Sequence, residues 1–189
     1  LHGDLEQRDR DEVLVRFANR SCNILVATDV AARGLDIVDL PLVVSYDVAH
    51  DADTHTHRVG RTGRAGAHGL AITLVSAREQ PKFRAIEERA GGPLPRYPAK
   101  PVGDGRKVLN LAPMKTLVID GGRKDKMRPG DILGALTGDA GLDAKDIGKI
   151  DVYATRAYVA IRRDLANRAL ERLRAGKIKG RSFRVRPLG

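Results

Sequence analysis

Hydrophobic and polar positions follow two different rhythms along this chain. Before residue 90, short unbroken apolar runs alternate with stretches of helical period. Residues 7–17 put Val13, Leu14 and Phe17 on one helical face with Arg and Asp opposite, and Asn23-Ile24-Leu25-Val26-Ala27 reads as a buried strand. Leu42-Val43-Val44-Ser45-Tyr46 and Leu70-Ala71-Ile72-Thr73-Leu74-Val75 repeat that run, with helix-length segments between and after. The alternation predicts an α/β domain with a parallel sheet, in which ligands meet the loops at the carboxyl ends of the strands.

After residue 114 the order changes. Strand patterns at 116–120, 147–153, 158–161 and 182–186 flank helical patterns at 129–137 and 164–175, giving βαββαβ. This order predicts an α+β split-βαβ sandwich of the kind found in small RNA-binding domains. Pro129 suits a first helical turn and Asp164 suits an N-cap. Between the two rhythms, residues 91–113 are rich in Pro and Gly, which disfavour helix and central strand alike. The predicted division is a partial parallel-sheet domain over 1–90, a linker over 91–113 and an RNA-recognition-motif-like (RRM-like) domain over 114–189.

Charge sharpens this division. The 189 residues carry a net charge of +10. Residues 1–99 hold 13 Lys and Arg against 14 Asp and Glu, while the remainder holds 21 against 10, so the excess lies wholly in the second half. Clustered cations gain affinity for polyanions by releasing counterions from phosphates. Aromatic residues are only 4% and Trp is absent, which argues against broad base stacking. No apolar run approaches the roughly 18 residues needed to cross a bilayer. The opening Leu1-His2-Gly3-Asp4 has no secretory pattern and Cys22 has no partner, so a reducing, cytoplasmic setting is expected. His50, His55 and His68 lack metal-ligand spacing, and no metal site is expected here.

Two segments carry candidate chemistry. In Ala27-Thr28-Asp29-Val30-Ala31-Ala32-Arg33-Gly34-Leu35-Asp36 a hydroxyl and two carboxylates emerge where a strand ends; taken alone, these residues serve equally as caps and turn formers. The segment His57-Arg58-Val59-Gly60-Arg61-Thr62-Gly63-Arg64 repeats arginine every third residue, which on a helix forms one stripe. Two glycines weaken a helix by about 1 kcal/mol each, so a merely structural helix rarely contains them. Guanidiniums stay charged and present a planar fork to the charge that develops on a transferring phosphoryl group.

Together these residues resemble the second RecA-like domain of DEAD-box RNA helicases. Leu1-His2-Gly3-Asp4-Leu5-Glu6-Gln7-Arg8-Asp9-Arg10 is similar to the family's His-Gly and Gln-x-x-Arg segment, residues 27–37 to motif V and residues 57–64 to motif VI. The resemblance implies that Arg61 and Arg64 act as arginine fingers on the γ-phosphate of ATP and that Asp36 holds the ribose hydroxyls. It implies that His57 couples the nucleotide site to the other lobe, that Arg58 supports structure or the lobe interface, and that Gly3, Arg10 and Thr28 face the RNA backbone. Neither Gly-x-x-x-x-Gly-Lys-Ser/Thr nor Asp-Glu-Ala-Asp occurs. The phosphate cradle and the Mg2+ ligands are thus expected in a first RecA-like domain outside this chain, and the resemblance implies a further strand and helix carrying motif IV before the His-Gly segment. The chain is read as part of a longer protein, inactive as an ATPase by itself.

Residues 115–136, with Ile147-Gly148-Lys149-Ile150 and Lys177-Ile178-Lys179-Gly180-Arg181, resemble the C-terminal domain of the DbpA subfamily. That resemblance implies binding to a hairpin of large-subunit ribosomal RNA and a place on the pre-ribosomal large subunit. Period-two alternation puts Arg156 and Tyr158 on one face and Ala157, Val159 and Ile161 on the other; in the last strand Phe183 and Val185 point in while Arg184 and Arg186 point out. The predicted RNA surface comprises Lys115, Arg123, Lys124, Lys126, Arg128, Arg156, Tyr158, Lys179, Arg181, Arg184 and Arg186. Gly121-Gly122 is expected to offer backbone amides to it. A non-catalytic RNA-binding adaptor on a helicase-derived scaffold is the alternative reading.

Overall fold

A computed structural model describes residues 1–32, 37, 39–63, 68–99, 111–138 and 141–189. Packing gathers them into two units, one formed by Leu1–Thr28 with Val108–Gly189 and the other by Asp29–Lys107.

The first unit is built on a four-stranded antiparallel sheet. Its strands are β3 (Met114–Ile119), β4 (Ile147–Val152), β5 (Ala157–Arg162) and β6 (Val185–Pro187), ordered β4-β5-β3-β6. Helices α5 (Pro129–Thr137) and α6 (Ala166–Ala175) complete the βαββαβ order expected from the pattern. Leu117, Ile119, Val159 and Ile161 of the central strands meet Ile132 and Leu136 of α5 and Ala169 and Leu173 of α6 in one core. Each large aliphatic side chain buried there contributes about 1.5–3 kcal/mol. Pro129 occupies the first turn of α5, and the Asp131 carboxylate accepts from the Arg128 N–H at 2.8 Å. Asp164 is not the cap that its position promised. It lies in a 3-10 turn over 163–165 and its carboxylate binds Arg162 at 2.7 Å instead, because a guanidinium two residues away competes with the helix amides.

The opposite sheet face carries helix α1 (Gln7–Ala18). Val15 is buried against Val118, Tyr158 and Leu188. Asn19 Nδ2 donates to Thr116 Oγ1 at 3.2 Å, the Ser21 and Thr116 hydroxyls lie 2.8 Å apart, and Met114 N–H donates to the Arg20 carbonyl at 3.3 Å. Here the grouping by packing differs from the sequence division at residue 90. The fully buried residue of α1 is Val15, whereas Val13, Leu14 and Phe17 are half-buried.

The second unit holds a two-stranded parallel sheet, β1 (Leu42–Ser45) with β2 (Leu70–Thr73), paired Leu42↔Leu70 through Ser45↔Thr73. Around it lie α2 (Asp29–Ala32), α3 (Ala52–Val59) and α4 (Gln80–Arg89). Its core is small: Val48, Ala49, Phe83 and Ile86, with Ala52, Val75 and Leu94 packed against it. Two sequence expectations fail. Residues 23–27, grouped with the first unit, form no strand, and Ile24 and Val26 are exposed. The unbroken apolar runs in β1 and β2 are not buried either, Val44 being 52% and Ile72 40% exposed. Such runs imply burial only when helices cover both sheet faces. Residues 91–99 are irregular, as expected for a linker, and 100–110 lie outside the described residues.

Candidate nucleotide and RNA sites

The phosphate-directed segment begins at α3. Asp51 caps it by accepting from the Thr54 N–H at 2.6 Å, and these hydrogen bonds hold the Asp51 carboxyl below its ordinary range. Helix α3 ends at Val59 with Gly60 as its C-cap, so Arg61 lies beyond the helix and the predicted stripe of three arginines stops after Arg58. Gly60 N–H donates to the Thr56 carbonyl at 2.8 Å and Arg61 N–H to the Arg58 carbonyl at 3.2 Å. The Arg61 carbonyl accepts from Leu40 N–H at 3.0 Å, Thr62 pairs with Leu40 as an isolated parallel bridge, and the Thr62 hydroxyl donates to the Leu40 carbonyl. The backbone at Arg61 is therefore fixed from both sides. Arg61 is half-buried and His57 exposed, while Arg64 and Asp36 lie outside the described residues. Burial, then the Arg58 charge, push the His55 imidazole below its ordinary value.

No pattern in the sequence pointed to the partner of Arg58. Its Nε and Nη2 donate to the two Asp29 carboxylate oxygens at 2.7 Å each, and its Nη1 donates to the Asp47 carbonyl at 2.7 Å. The carboxylate raises the guanidinium's already high pKa. Arg58 Nε, Nη1 and Nη2 and the Gly60 and Arg61 amides are thus engaged within the fold.

Of the residues expected on the RNA backbone, Gly3 and Thr28 lie on segments that meet at Leu1: Thr28 N–H donates to the Leu1 carbonyl at 3.0 Å and the Leu1 amino group to the Val26 carbonyl at 2.6 Å. Both are exposed, and Arg10 is half-buried one turn into α1.

In the first unit the predicted RNA surface divides into two groups. The loop residues Arg123, Lys124, Lys126, Arg128, Lys179 and Arg181 are exposed. Two loops distant in sequence meet here: Lys179 Nζ donates to the Lys126 carbonyl at 3.1 Å, and Arg181 pairs with Asp125 at 3.2 Å while lying 5.3 Å from the Phe183 ring centre. Lys126 and Lys179 adopt left-handed backbone conformations, with φ of 58° and 51°. Such conformations cost about 1–3 kcal/mol where a side chain is present.

The sheet group behaves otherwise. Tyr158 is buried beneath α1, not displayed on an open platform, and Arg156 and Arg186 are half-buried beside Glu12 of α1, at 3.2 and 3.9 Å. The alternation was read correctly, but the face it exposes is covered by a helix from elsewhere in the chain. Lys115, near the start of β3, is half-buried and Arg184 is exposed. Gly122 does not present a spare amide, because its N–H donates to Asp125 at 3.1 Å.

Sequence reasoning also missed a cavity of about 520 Å³ next to the first loop. Arg123 and Arg128 flank it, with Met127, Ile150 and Val152 as apolar surface and Asp151 and Tyr153 at its edge. Tyr153 stands edge-on to Tyr158 at 5.5 Å between ring centres. Among the described residues no group of three His, Cys, Asp or Glu side chains is placed to hold a metal ion.

Comparison with known proteins places both halves. Residues 1–66 match the helicase conserved C-terminal domain, and residues 116–187 match the DbpA RNA binding domain. The chain is similar to the ATP-dependent RNA helicase DbpA of Escherichia coli K12, at 54% identity over 188 residues, covering 100% of this chain and 41% of that protein. Against the ATP-dependent RNA helicase DbpA of Bacillus subtilis 168 the identity is 34% over 206 residues, covering 98% and 43%. The crystal structure of a DEAD box protein from Methanococcus jannaschii aligns at 42% identity with a TM-score of 0.46, covering 49% of this chain and 26% of that one. The chain thus spans about two fifths of the length of the relatives it matches from end to end. It joins a helicase conserved C-terminal domain to a DbpA RNA binding domain, and it is similar from end to end to the corresponding part of the two DbpA helicases.

Proposed function

We propose that this chain is the ATP-sensing and RNA-targeting portion of an ATP-dependent RNA helicase that acts on large-subunit ribosomal RNA during ribosome assembly in the cytoplasm. The observation that carries the reading is the match of both halves to one relative across the whole chain. In this reading a first RecA-like lobe holds ATP and its Mg2+, and bound ATP supplies the phosphoanhydride whose cleavage drives the cycle. Arg61 and Arg64 approach the terminal phosphate and Asp36 takes the ribose hydroxyls. Arg61 suits that role because its backbone is immobilised by the α3 cap and the Leu40 bridge, so little reorganisation is needed when charge develops on the phosphoryl oxygens. His57 relays the state of the nucleotide site to the other lobe. Gly3, Arg10 and Thr28 face the sugar-phosphate backbone of the RNA.

Targeting belongs to the RRM-like domain. The exposed loops at 123–128 and 177–181 engage phosphates of a structured hairpin, and the adjoining cavity is large enough for an unpaired nucleotide. Phosphate contact by these loops, more than stacking on the sheet, follows from Tyr158 lying under α1.

The test is the Arg61→Ala substitution in the full-length protein. RNA-stimulated ATP hydrolysis is expected to fall by about 10³-fold or more, with hairpin affinity unchanged, and residues 1–189 alone are expected to bind the hairpin without turning over ATP. A full-length protein inert toward ATP with every RNA would favour the adaptor reading.

A further inference from the structure

Within the arginine repeat, Arg58 forms a clamp whose carboxylate-facing edge and Nη1 are both taken, by Asp29 and by the Asp47 carbonyl. A two-point fork on a carboxylate fixes orientation as well as distance, which a lysine cannot reproduce. The two side chains are 22% and 31% exposed, so solvent reaches the pair only in part. Guanidinium and carboxylate cancel in charge. Beyond near neighbours such as His55, which the Arg58 charge still reaches, the pair acts through geometry more than field.

Its two ends sit at informative places. Asp29 opens α2 and directly follows Thr28, while Arg58 occupies the last turn of α3, three residues before Arg61. Between Arg58 and Arg61 the chain has no slack, because the Gly60 and Arg61 amides close onto Thr56 and Arg58 and the Arg61 carbonyl is held by Leu40. A displacement of residue 29 therefore reaches Arg61 through one side-chain pair and one helix end.

We propose that the Asp29–Arg58 pair is a positioning strut that makes the alignment of Arg61 with a nucleotide phosphate depend on how RNA seats the backbone at Thr28. This deepens the reading of Arg61 given above and rests on it. Arg58 and Asp29 are then positioning residues that touch neither nucleotide nor RNA.

The experiment uses the full-length protein with the hairpin RNA at saturation. Arg58→Lys and Asp29→Asn are each expected to lower the RNA-stimulated kcat by about 10- to 100-fold, the scale on which misplacement of about 1 Å acts. KM for ATP should move less than about threefold and hairpin affinity should stay unchanged, with the double swap Asp29→Arg/Arg58→Asp recovering several-fold over either single variant, as expected of directly coupled residues. The proposal is overturned if kcat is unaffected, or if KM rises with kcat intact, which would make Arg58 a nucleotide ligand. It is equally overturned if lost turnover follows lost melting temperature and the swap recovers nothing, the behaviour of a merely structural pair. Arg61→Ala measured alongside separates the two readings. If that variant keeps full turnover, the arginine-finger reading itself fails; if it is inactive while Arg58→Lys is normal, only the strut fails.

Discussion

The two units contain sheets of similar apolar content, and only one of them buries its sheet. In the RRM-like unit the central strands are covered on one face by α5 and α6 and on the other by α1, and β5 is buried from Ala157 to Ile161. In the unit of residues 29–107, Leu42, Val44, Leu70 and Ile72 are 40–56% exposed on strands of the same composition. Hydrophobic sequence makes a strand eligible for burial, and covering layers make it buried. Stability should accordingly be concentrated in the first unit.

The largest expected effect lies in chemistry, not in folding: Arg61→Ala removes about 10³-fold of RNA-stimulated turnover while the melting curve stays unchanged, as ATPase assay and calorimetry of the full-length protein would register. Next comes the core. Leu136→Ala should cost about 2–5 kcal/mol in denaturant unfolding, whereas Val44→Thr should stay within about 0.5 kcal/mol; equal costs at the two sites would erase the contrast between the units. Smaller again, replacing Lys124, Lys126 and Arg181 together by Ala should weaken hairpin binding by about tenfold or more at moderate salt. It should also flatten the salt dependence, each lost phosphate contact removing about 0.7–0.9 from the slope of log K on log salt. Titration across several salt concentrations checks both. The smallest effect belongs to His55. Its folded pKa lies below the ordinary 6.5, so the unfolded chain binds the extra proton first and stability contributed by the neutral ring declines as pH falls below about 6.5. His55→Gln should make the melting temperature less sensitive to pH across that window.

The contrast also explains what could be read beforehand. The βαββαβ order was legible because each strand and helix there has its own pattern, and helix α5 runs over the residues its pattern indicated. The segment at 57–64 was legible as cationic, whereas the bond between Thr28 and Leu1 had no signal in the pattern. Three further features were not legible. The run at 23–27 has strand composition, but composition names no neighbour to pair with. The Asp29–Arg58 fork joins residues 29 positions apart through side chains that separately look like a cap and a surface charge. The burial of Tyr158 depends on Val15, more than 140 residues away, and a period-two pattern reports which face a side chain takes without saying what lies on that face.

The hydrogen bond from Lys179 to the Lys126 carbonyl means that the two basic loops form a single mechanical piece. Truncating Lys179 would delete a cation and also the tie to the other loop, whereas Lys126→Ala would delete a cation and leave the accepting carbonyl in place, so alanine scanning would weigh the two lysines unequally. On the reading proposed above, a redesign of RNA preference would therefore vary both loops together.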